Sequence, residues 1–327
     1  MSGKLPYNWL ITGGCGFIGS NLIRNMIDSG VAPEQITVLD NFSGLKSDTL
    51  MSKFGSGVNV VQGDVRDLEI VNQTLKNIDT VIHLAASTSV DLSVAEPHLD
   101  FHHNATGTLN VLQSCCINAV KRFVFASSSA VLGEAEPPIH ENLAPRPISP
   151  YGASKLAGEA YCSAFTHSYG LETVCLRFAN VYGPGAANSR AIVPNFIASA
   201  LSGAPLTING DGSATRDYVY VDDLCEAIIS AATKTVPKSA VYQIASNSET
   251  TVKEMFDLIV AIVKQKTGQK VSFIHGSKRQ GDIERSFSDI SRAKAELGWT
   301  PRTPLETGMA QTISWFITEM SEGRRVR

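Results

Sequence analysis

An apolar run, Trp9–Thr12, leads straight into Thr12-Gly13-Gly14-Cys15-Gly16-Phe17-Ile18-Gly19, and residues 17–29 then show helical periodicity. Strand, glycine-rich turn and helix in that order leave few options for the fold. The glycines fall in a G-x-x-G-x-x-G spacing at Gly13, Gly16 and Gly19. One glycine permits a tight turn, another lets backbone N–H groups approach a pyrophosphate at the helix N-terminus, and the last allows close packing of helix on strand. The alternation then repeats. Short apolar runs at residues 36–39, 58–61, 80–84, 122–126 and 173–176 are separated by longer amphipathic stretches, among them residues 104–119 and 151–169. Such a pattern reads as βαβ units around a parallel sheet.

After Arg177 the texture changes, with Gly183-Pro184-Gly185, Pro194, Pro205 and Gly210-Asp211-Gly212 closely spaced, as in loops that shape a substrate site. Helical periodicity returns at residues 252–266, 289–297 and 305–319. The expected fold class is α/β: a Rossmann-type doubly wound parallel sheet with a smaller C-terminal α/β substrate lobe, the two interleaved along the chain.

With 327 residues, 43% of them hydrophobic, the chain can bury a large core. A net charge of -3 and dispersed Lys and Arg give no basic stripe, which argues against nucleic acid as a partner. The six cysteines (Cys15, Cys115, Cys116, Cys162, Cys175, Cys225) show no C-x-x-C spacing and sit mostly in apolar segments. Free buried thiols in a reducing cytoplasm are expected, with neither a disulfide framework nor a metal site. Residues 1–9 carry none of the marks of a secretory signal, and the apolar residues 256–263 are too few to cross a bilayer, so no membrane is expected.

Asp40 ends the second apolar run, about twenty residues beyond the glycines, where a carboxylate can accept hydrogen bonds from both adenosine ribose hydroxyls. It would also repel a 2'-phosphate, which favours NAD over NADP. The plainer reading is a set of turn glycines followed by a solvent-exposed aspartate in Asp40-Asn41. Asp64 and Val65, after the third run, are placed to bracket the adenine, and Asp67 reads as a helix cap. Leu84-Ala85-Ala86 supplies small residues beside the cofactor. The expected cofactor set is therefore Gly13, Gly16, Phe17, Ile18, Gly19, Asp40, Asn41, Asp64, Val65, Leu84, Ala85, Ala86 and Asn104, joined by Tyr151 and Lys155.

Tyr151 and Lys155, in Ser149-Pro150-Tyr151-Gly152-Ala153-Ser154-Lys155, are four apart and so share one helix face, with Pro150 suited to the first turn. Moving a tyrosine pKa from about 10 to about 7 takes roughly 4 kcal/mol, which a close lysine and a cationic cofactor ring can supply.

These motifs resemble the extended short-chain dehydrogenase/reductase family, in its nucleotide-sugar epimerase/dehydratase branch. The resemblance spans essentially the whole chain: TGGCGFIGS, HLAA at His83 to Ala86, NATGTLNVL from Asn104, the cluster Ser127-Ser128-Ser129, YGASK, RFANVYGPG from Arg177, RDYVYVDD from Arg216, and GDIERSFSDISRAKAELGW from Gly281. It implies that Tyr151 is the acid/base, that Lys155 holds the nicotinamide ribose and lowers the Tyr151 pKa, and that a serine bridges the substrate hydroxyl. Setting Val131-Leu132-Gly133 against the family's V-Y-G selects Ser128, although Leu132 departs from the usual tyrosine; Ser127 and Ser129 read as hydrogen-bonding residues at a strand end.

Related 4,6-dehydratases carry Asp-Glu in the two positions after this serine or threonine, and UDP-glucuronate decarboxylases carry Glu in the second. Here Ser129 and Ala130 stand there. A 4-epimerase, which needs one acid/base and a tightly held NAD, is the reading that remains; a dehydratase or other 4-keto-sugar-forming enzyme, or a UDP-glucuronate epimerase, is the alternative, and a silent NAD-binding scaffold comes last. By resemblance Asn180 and Arg216 contact the diphosphate, Arg279 adds a second cation, and Asp282 binds the uridine ribose. Ser286 falls where related epimerases gate the C2 substituent, and a small residue there admits an N-acetyl group. UDP-GlcNAc and UDP-GalNAc are thus expected beside UDP-Glc and UDP-Gal. Ser89, with Ser93, faces the hexose or caps a helix. Residues 1–178 and about 215–247 are expected to form the NAD-binding domain, and 179–214 and 248–327 the nucleotide-sugar lobe, in a cytoplasmic homodimer.

Overall fold

A computed structural model describes residues 7–43, 57–188, 191–277 and 283–323. Strands β1 (Trp9–Thr12), β2 (Ile36–Asp40), β3 (Asn59–Gln62), β4 (Thr80–His83), β5 (Arg122–Ser128) and β6 (Glu172–Phe178) lie in one sheet. Four short strands follow, β7 (Asn180–Tyr182), β8 (Leu206–Asn209), β9 (Thr215–Arg216) and β10 (Tyr218–Tyr220), before β11 (Ala240–Ile244) returns to that sheet as its seventh member. The order is β11-β6-β5-β4-β1-β2-β3, with every pairing parallel. This is the expected α/β architecture. Between β1 and β4 the direction of winding reverses, and a crevice opens there beyond the carboxyl ends of the strands.

All four residues of β1 are buried, as required of a parallel strand covered by helices on both faces. Because side chains alternate, Trp9 and Ile11 enter one core with Leu22 of α1 (Phe17–Asp28), while Leu10 enters the other with Val81 and Phe123. Helix α2 (Leu68–Thr74) is capped by Asp67, whose Oδ1 accepts from the amides of Glu69 and Ile70, as its sequence position predicts. Two short helices, α3 (Val90–Ala95) and α4 (Pro97–Phe101), run into a π-helical turn at His102–Thr106 and then α5 (Gly107–Ile117).

Helix α6 (Pro150–Tyr169) carries every start and stop signal: Ser149 Oγ accepts from the Gly152 amide at 3.1 Å, Pro150 opens the first turn, and left-handed Gly170 ends it. It lies unusually close to β5. A Cβ on Gly158 would stand 2.4 Å from Cζ of Phe125, so only glycine allows this approach, and the approach sets Tyr151 and Lys155 over the end of the sheet.

A second core forms from α7 (Ile192–Ser202), α9 (Val252–Thr267) and α10 (Leu305–Ser321), around Phe196, Phe256, Met309 and Phe316. Strand β8 pairs in parallel with β13 (Phe273–Gly276), β7 with β10, and β9 runs antiparallel to β12 (Thr250–Thr251). Between its two excursions into this region the chain lays α8 (Val221–Thr233) on α1 and adds β11 to the sheet edge. All six cysteines are free, five of them buried and Cys116 partly so. Among the described residues, no helix is long and apolar enough to cross a membrane.

Candidate active site

A cleft of about 590 Å³ opens at the point where the sheet reverses direction. Its floor is the glycine turn, where Gly13, with φ +69, comes so close to the loop after β4 that a Cβ would meet the Ala85 nitrogen at 2.7 Å. Gly19 is as tightly placed against Gly14, at 2.5 Å. Gly16 caps α1 with no side-chain acceptor, and the first turn holds no acidic residue, which leaves its amides to an incoming anion. Phe17 and Ile18 line the cleft beside them.

Asp40 closes the far end, its Oδ2 accepting from the Cys15 amide at 3.0 Å and its Oδ1 from the Phe42 amide at 2.8 Å. The carboxylate is therefore fixed before any ligand arrives. A backbone cradle that excludes Cβ atoms, free helix-terminal amides and a held carboxylate together fit a dinucleotide with an unphosphorylated adenosine ribose.

Asn41, Val65, Leu84, Ala85, Ala86, Ser128, Tyr151 and Lys155, expected at the cofactor or among the reacting groups, all line this same cleft. Asp64 does not; it lies just outside, in a shallow recess, where Arg66 takes both its oxygens at 2.9 and 2.8 Å and Asn41 adds a third bond. That hydrogen bonding holds the Asp64 carboxyl well below the usual range. Asn104 sits behind the cleft wall, its Nδ2 donating to Ser87 O, Asp100 Oδ1 and Ser154 Oγ, and its Oδ1 accepting from the Ser87 amide. Here it shapes the loop after β4.

Tyr151 is half-buried, and burial pushes its phenol up to about 12, with hydrogen bonding from Ser128 pulling it back. The protein alone thus moves Tyr151 opposite to the direction its chemistry needs. Lys155, 3% exposed, is pulled down to about 8 by burial; its Nζ donates to Ala126 O at 2.8 Å and stands 5.0 Å from the centre of the Phe125 ring. Ser128 accepts from the Ala130 amide at 3.1 Å, which fixes its oxygen. Ser129 donates to Phe178 O, and Ser127 to buried Glu159 at 2.5 Å, so both serve the strand end.

Ser89 caps α3, accepting from the Leu92 amide at 3.2 Å, and buried Ser93 donates to Val90 O. Of the residues expected at the diphosphate, Arg216 donates to Thr215 O and Ile283 O, and Asn180 to Asp217 O, all in the second half of the chain. The half-buried Ser286 is tied by its amide to Thr215 Oγ1. Arg279 and Asp282 lie outside the described residues. Sequence reasoning missed several lining residues, notably Ser87, Thr88, Leu92, His103 and Phe178. Phe178 stood within a motif already singled out; the others carry no pattern of their own.

Residues 9–245 match the model of the NAD dependent epimerase/dehydratase family, a span that includes the whole parallel sheet. The chain belongs to that family. NAD is therefore its cofactor. Among relatives, the chain is 32% identical to a UDP-glucose 4-epimerase of Mycolicibacterium smegmatis, over 94% of this chain and 97% of that one. It is 32% identical to a dTDP-glucose 4,6-dehydratase of Xanthomonas campestris, over 96% and 94% of the two. A solved UDP-N-acetylglucosamine 4-epimerase from Methanobrevibacter ruminantium, in complex with UDP-N-acetylmuramic acid, superposes with a TM-score of 0.87 at 34% identity, covering 96% of this chain and 99% of that one. Family members of both reaction types are thus comparably similar, and the choice between them falls to the site.

Proposed function

We propose that this protein is a nucleotide-sugar 4-epimerase that acts on UDP-hexoses, N-acetylated ones included. One observation carries the reading: among the described residues that line the cleft, the only carboxylate is Asp40, at the end of β2. Elimination of water across C5 and C6 calls for an acid and a base besides the tyrosine. At the two positions after Ser128 the chain instead places a hydroxyl occupied with Phe178 O and a methyl group.

Tyr151 takes the proton from the sugar O4 and later returns it to the same oxygen. NAD, when bound, would supply the reversible oxidation that makes C4 planar, and the positive charge of its oxidised ring would favour the phenolate. Ser128, its oxygen already held by the Ala130 amide, orients O4 toward Tyr151. Lys155, whose Nζ stands 6.0 Å from the centre of the Tyr151 ring, contributes a second positive charge that favours the phenolate, besides gripping the nicotinamide ribose. Inversion then requires a hexose free to turn while the diphosphate stays anchored, a task we assign to Asn180, Arg216, Arg279 and Asp282, with Ser286 leaving room at C2.

The 4,6-dehydratase is the second reading, favoured by the 32% identity to the Xanthomonas enzyme. Incubation with UDP-, dTDP-, GDP- and CDP-sugars and product NMR separates the two. A C4 epimer supports the proposal, and a 4-keto-6-deoxy sugar overturns it. The reading includes a homodimer, for which exposed Val94, Phe101, Tyr161 and Tyr169 on α3, α4 and α6 offer apolar surface; sedimentation of a monomer at micromolar concentration would remove that part.

A further inference from the structure

Asp100 has no part in the chemistry described so far, yet it is a carboxylate only 2% exposed, on α4, a helix packed against α6, which carries the reacting pair. Its Oδ1 accepts from Asn104 Nδ2 at 2.9 Å; its Oδ2 is buried without a hydrogen-bond partner. The same Asn104 amide donates to Ser154 Oγ at 3.1 Å, which links Asp100 by two hydrogen bonds to the residue next to Lys155. A buried carboxylate with one bare oxygen is costly unless an opposite charge lies near.

The surroundings of Lys155 offer few candidates. Glu159, one turn along α6, is committed to Arg177 of β6 at 2.9 and 2.7 Å and to Ser127. His83 of β4 is fully buried, joined to Thr12 and Thr108, and pushed down to about 3 by burial and by Lys155 itself, so it is neutral. Arg122 of β5 pairs with Glu172 at the opposite end of the sheet. Asp91 of α3, His98 of α4 and His102 of the π-helical turn are exposed; His103 responds to Arg66 and Asp64 as well as to Asp100; and the Cys115 thiol of α5 is buried and pushed up. Tyr151 is the remaining group.

We propose that Asp100 is a positioning residue for the Tyr151/Lys155 pair, its buried carboxylate acting as the counter-charge that keeps Lys155 an ammonium beside the Phe125 ring. Its charge pushes Lys155 back upward against burial and raises Tyr151 as well. The inference rests on these two residues being the reacting pair, but not on which sugar they act upon.

The test is Asp100→Asn, which keeps an acceptor for Asn104, removes the charge and puts an amide nitrogen in place of the bare oxygen. In NAD-free protein the Lys155 side-chain NMR signal, assigned by its loss in Lys155→Met, should titrate about one pH unit lower, the small end of what a close charge produces. In the NAD-loaded enzyme both limbs of the pH profile of kcat should move toward acid by a similar amount, since Lys155 loses its proton earlier and Tyr151 is freed of a negative neighbour. Asp100→Glu should restore most of the shift. An unchanged Lys155 midpoint, or lower activity with unshifted limbs, would show a merely structural role and overturn the proposal. Should Asp100→Asn not fold, the unaltered protein decides: Lys155 found as a neutral amine at pH 7 overturns it too.

Discussion

The cofactor cleft and the region proposed to hold the sugar are built by different means. On the cofactor side the site is backbone: turns at the ends of β1, β2 and β4 of one parallel sheet, with residue types dictated by close approach at Gly13 and Gly19. In the second half of the chain, where we propose that the nucleotide sugar binds, the structure is assembled from distant pieces of chain. Thr215 donates its amide to Glu284 O, Ser286 donates to Thr215 Oγ1, and the buried Asp217 carboxylate gathers the Ser246 amide, the Ser246 hydroxyl and the Ser288 amide. Burial raises Asp217 while those donors pull it back, so this junction holds a charge whose partners are all neutral. A cradle of regular backbone is rigid and tolerates little, whereas a junction of side chains can change its specificity one residue at a time.

That contrast can be broken by substitution. At the reacting pair, Tyr151→Phe should lower kcat by about a thousandfold or more, within the range for loss of a positioned acid/base, while NAD stays bound; retained turnover, measured by product NMR, would remove Tyr151 from the mechanism. On the cofactor side, Gly13→Val forces a branched side chain into φ +69 and against the Ala85 backbone. NAD affinity, read by calorimetry, should drop by about a hundredfold or more.

Ser286→Tyr probes the other side and should leave NAD binding unchanged. It should lower kcat/KM for the N-acetylated sugars by about tenfold to a hundredfold relative to UDP-Glc and UDP-Gal. Equal effects on both pairs would show that Ser286 does not face C2.

His83→Gln tests the rigidity of the cofactor side most gently. The His83 pKa is depressed in the folded protein, to about 3 against an ordinary 6.5, so its contribution to stability is complete above about pH 6.5 and is lost as pH falls toward 3. The slope is at most about 1.4 kcal/mol per pH unit. Denaturant melts between pH 6.5 and 4 should be flatter for His83→Gln than for the parent protein.

The contrast also explains what could be read from sequence. Gly13 and Gly19 were legible because close approach of backbone admits one residue type at a fixed spacing, and Asp40 because it ends the next strand at a set distance from them. Tyr151 and Lys155 were legible because four residues make one helix turn. Asp100, and the buried Glu159–Arg177 pair with its 2.7 Å contact, have no such signature. Their partners come together only through packing. Asn104 shows the limit of motif reasoning: its motif suggests contact with the cofactor, yet its amide is spent on Ser87, Asp100 and Ser154. The displacement of the Tyr151 phenol up to about 12, against the direction its chemistry needs, was likewise invisible, because it comes from burial.

The seventh strand of the sheet arrives late. While the chain emerges from the ribosome, Tyr151 and Lys155 are already made when β6 still presents an open edge, and that edge stays unpaired until residues 240–244 follow. Ile139 waits longer still, for Phe287 and Asp289, whose backbone groups clasp it on both sides. An unpaired parallel edge invites pairing with another chain. Until β11 is made, the sheet that carries Tyr151 and Lys155 therefore has an edge open to the wrong partner, so the order of synthesis sets when the site is most exposed to mispairing.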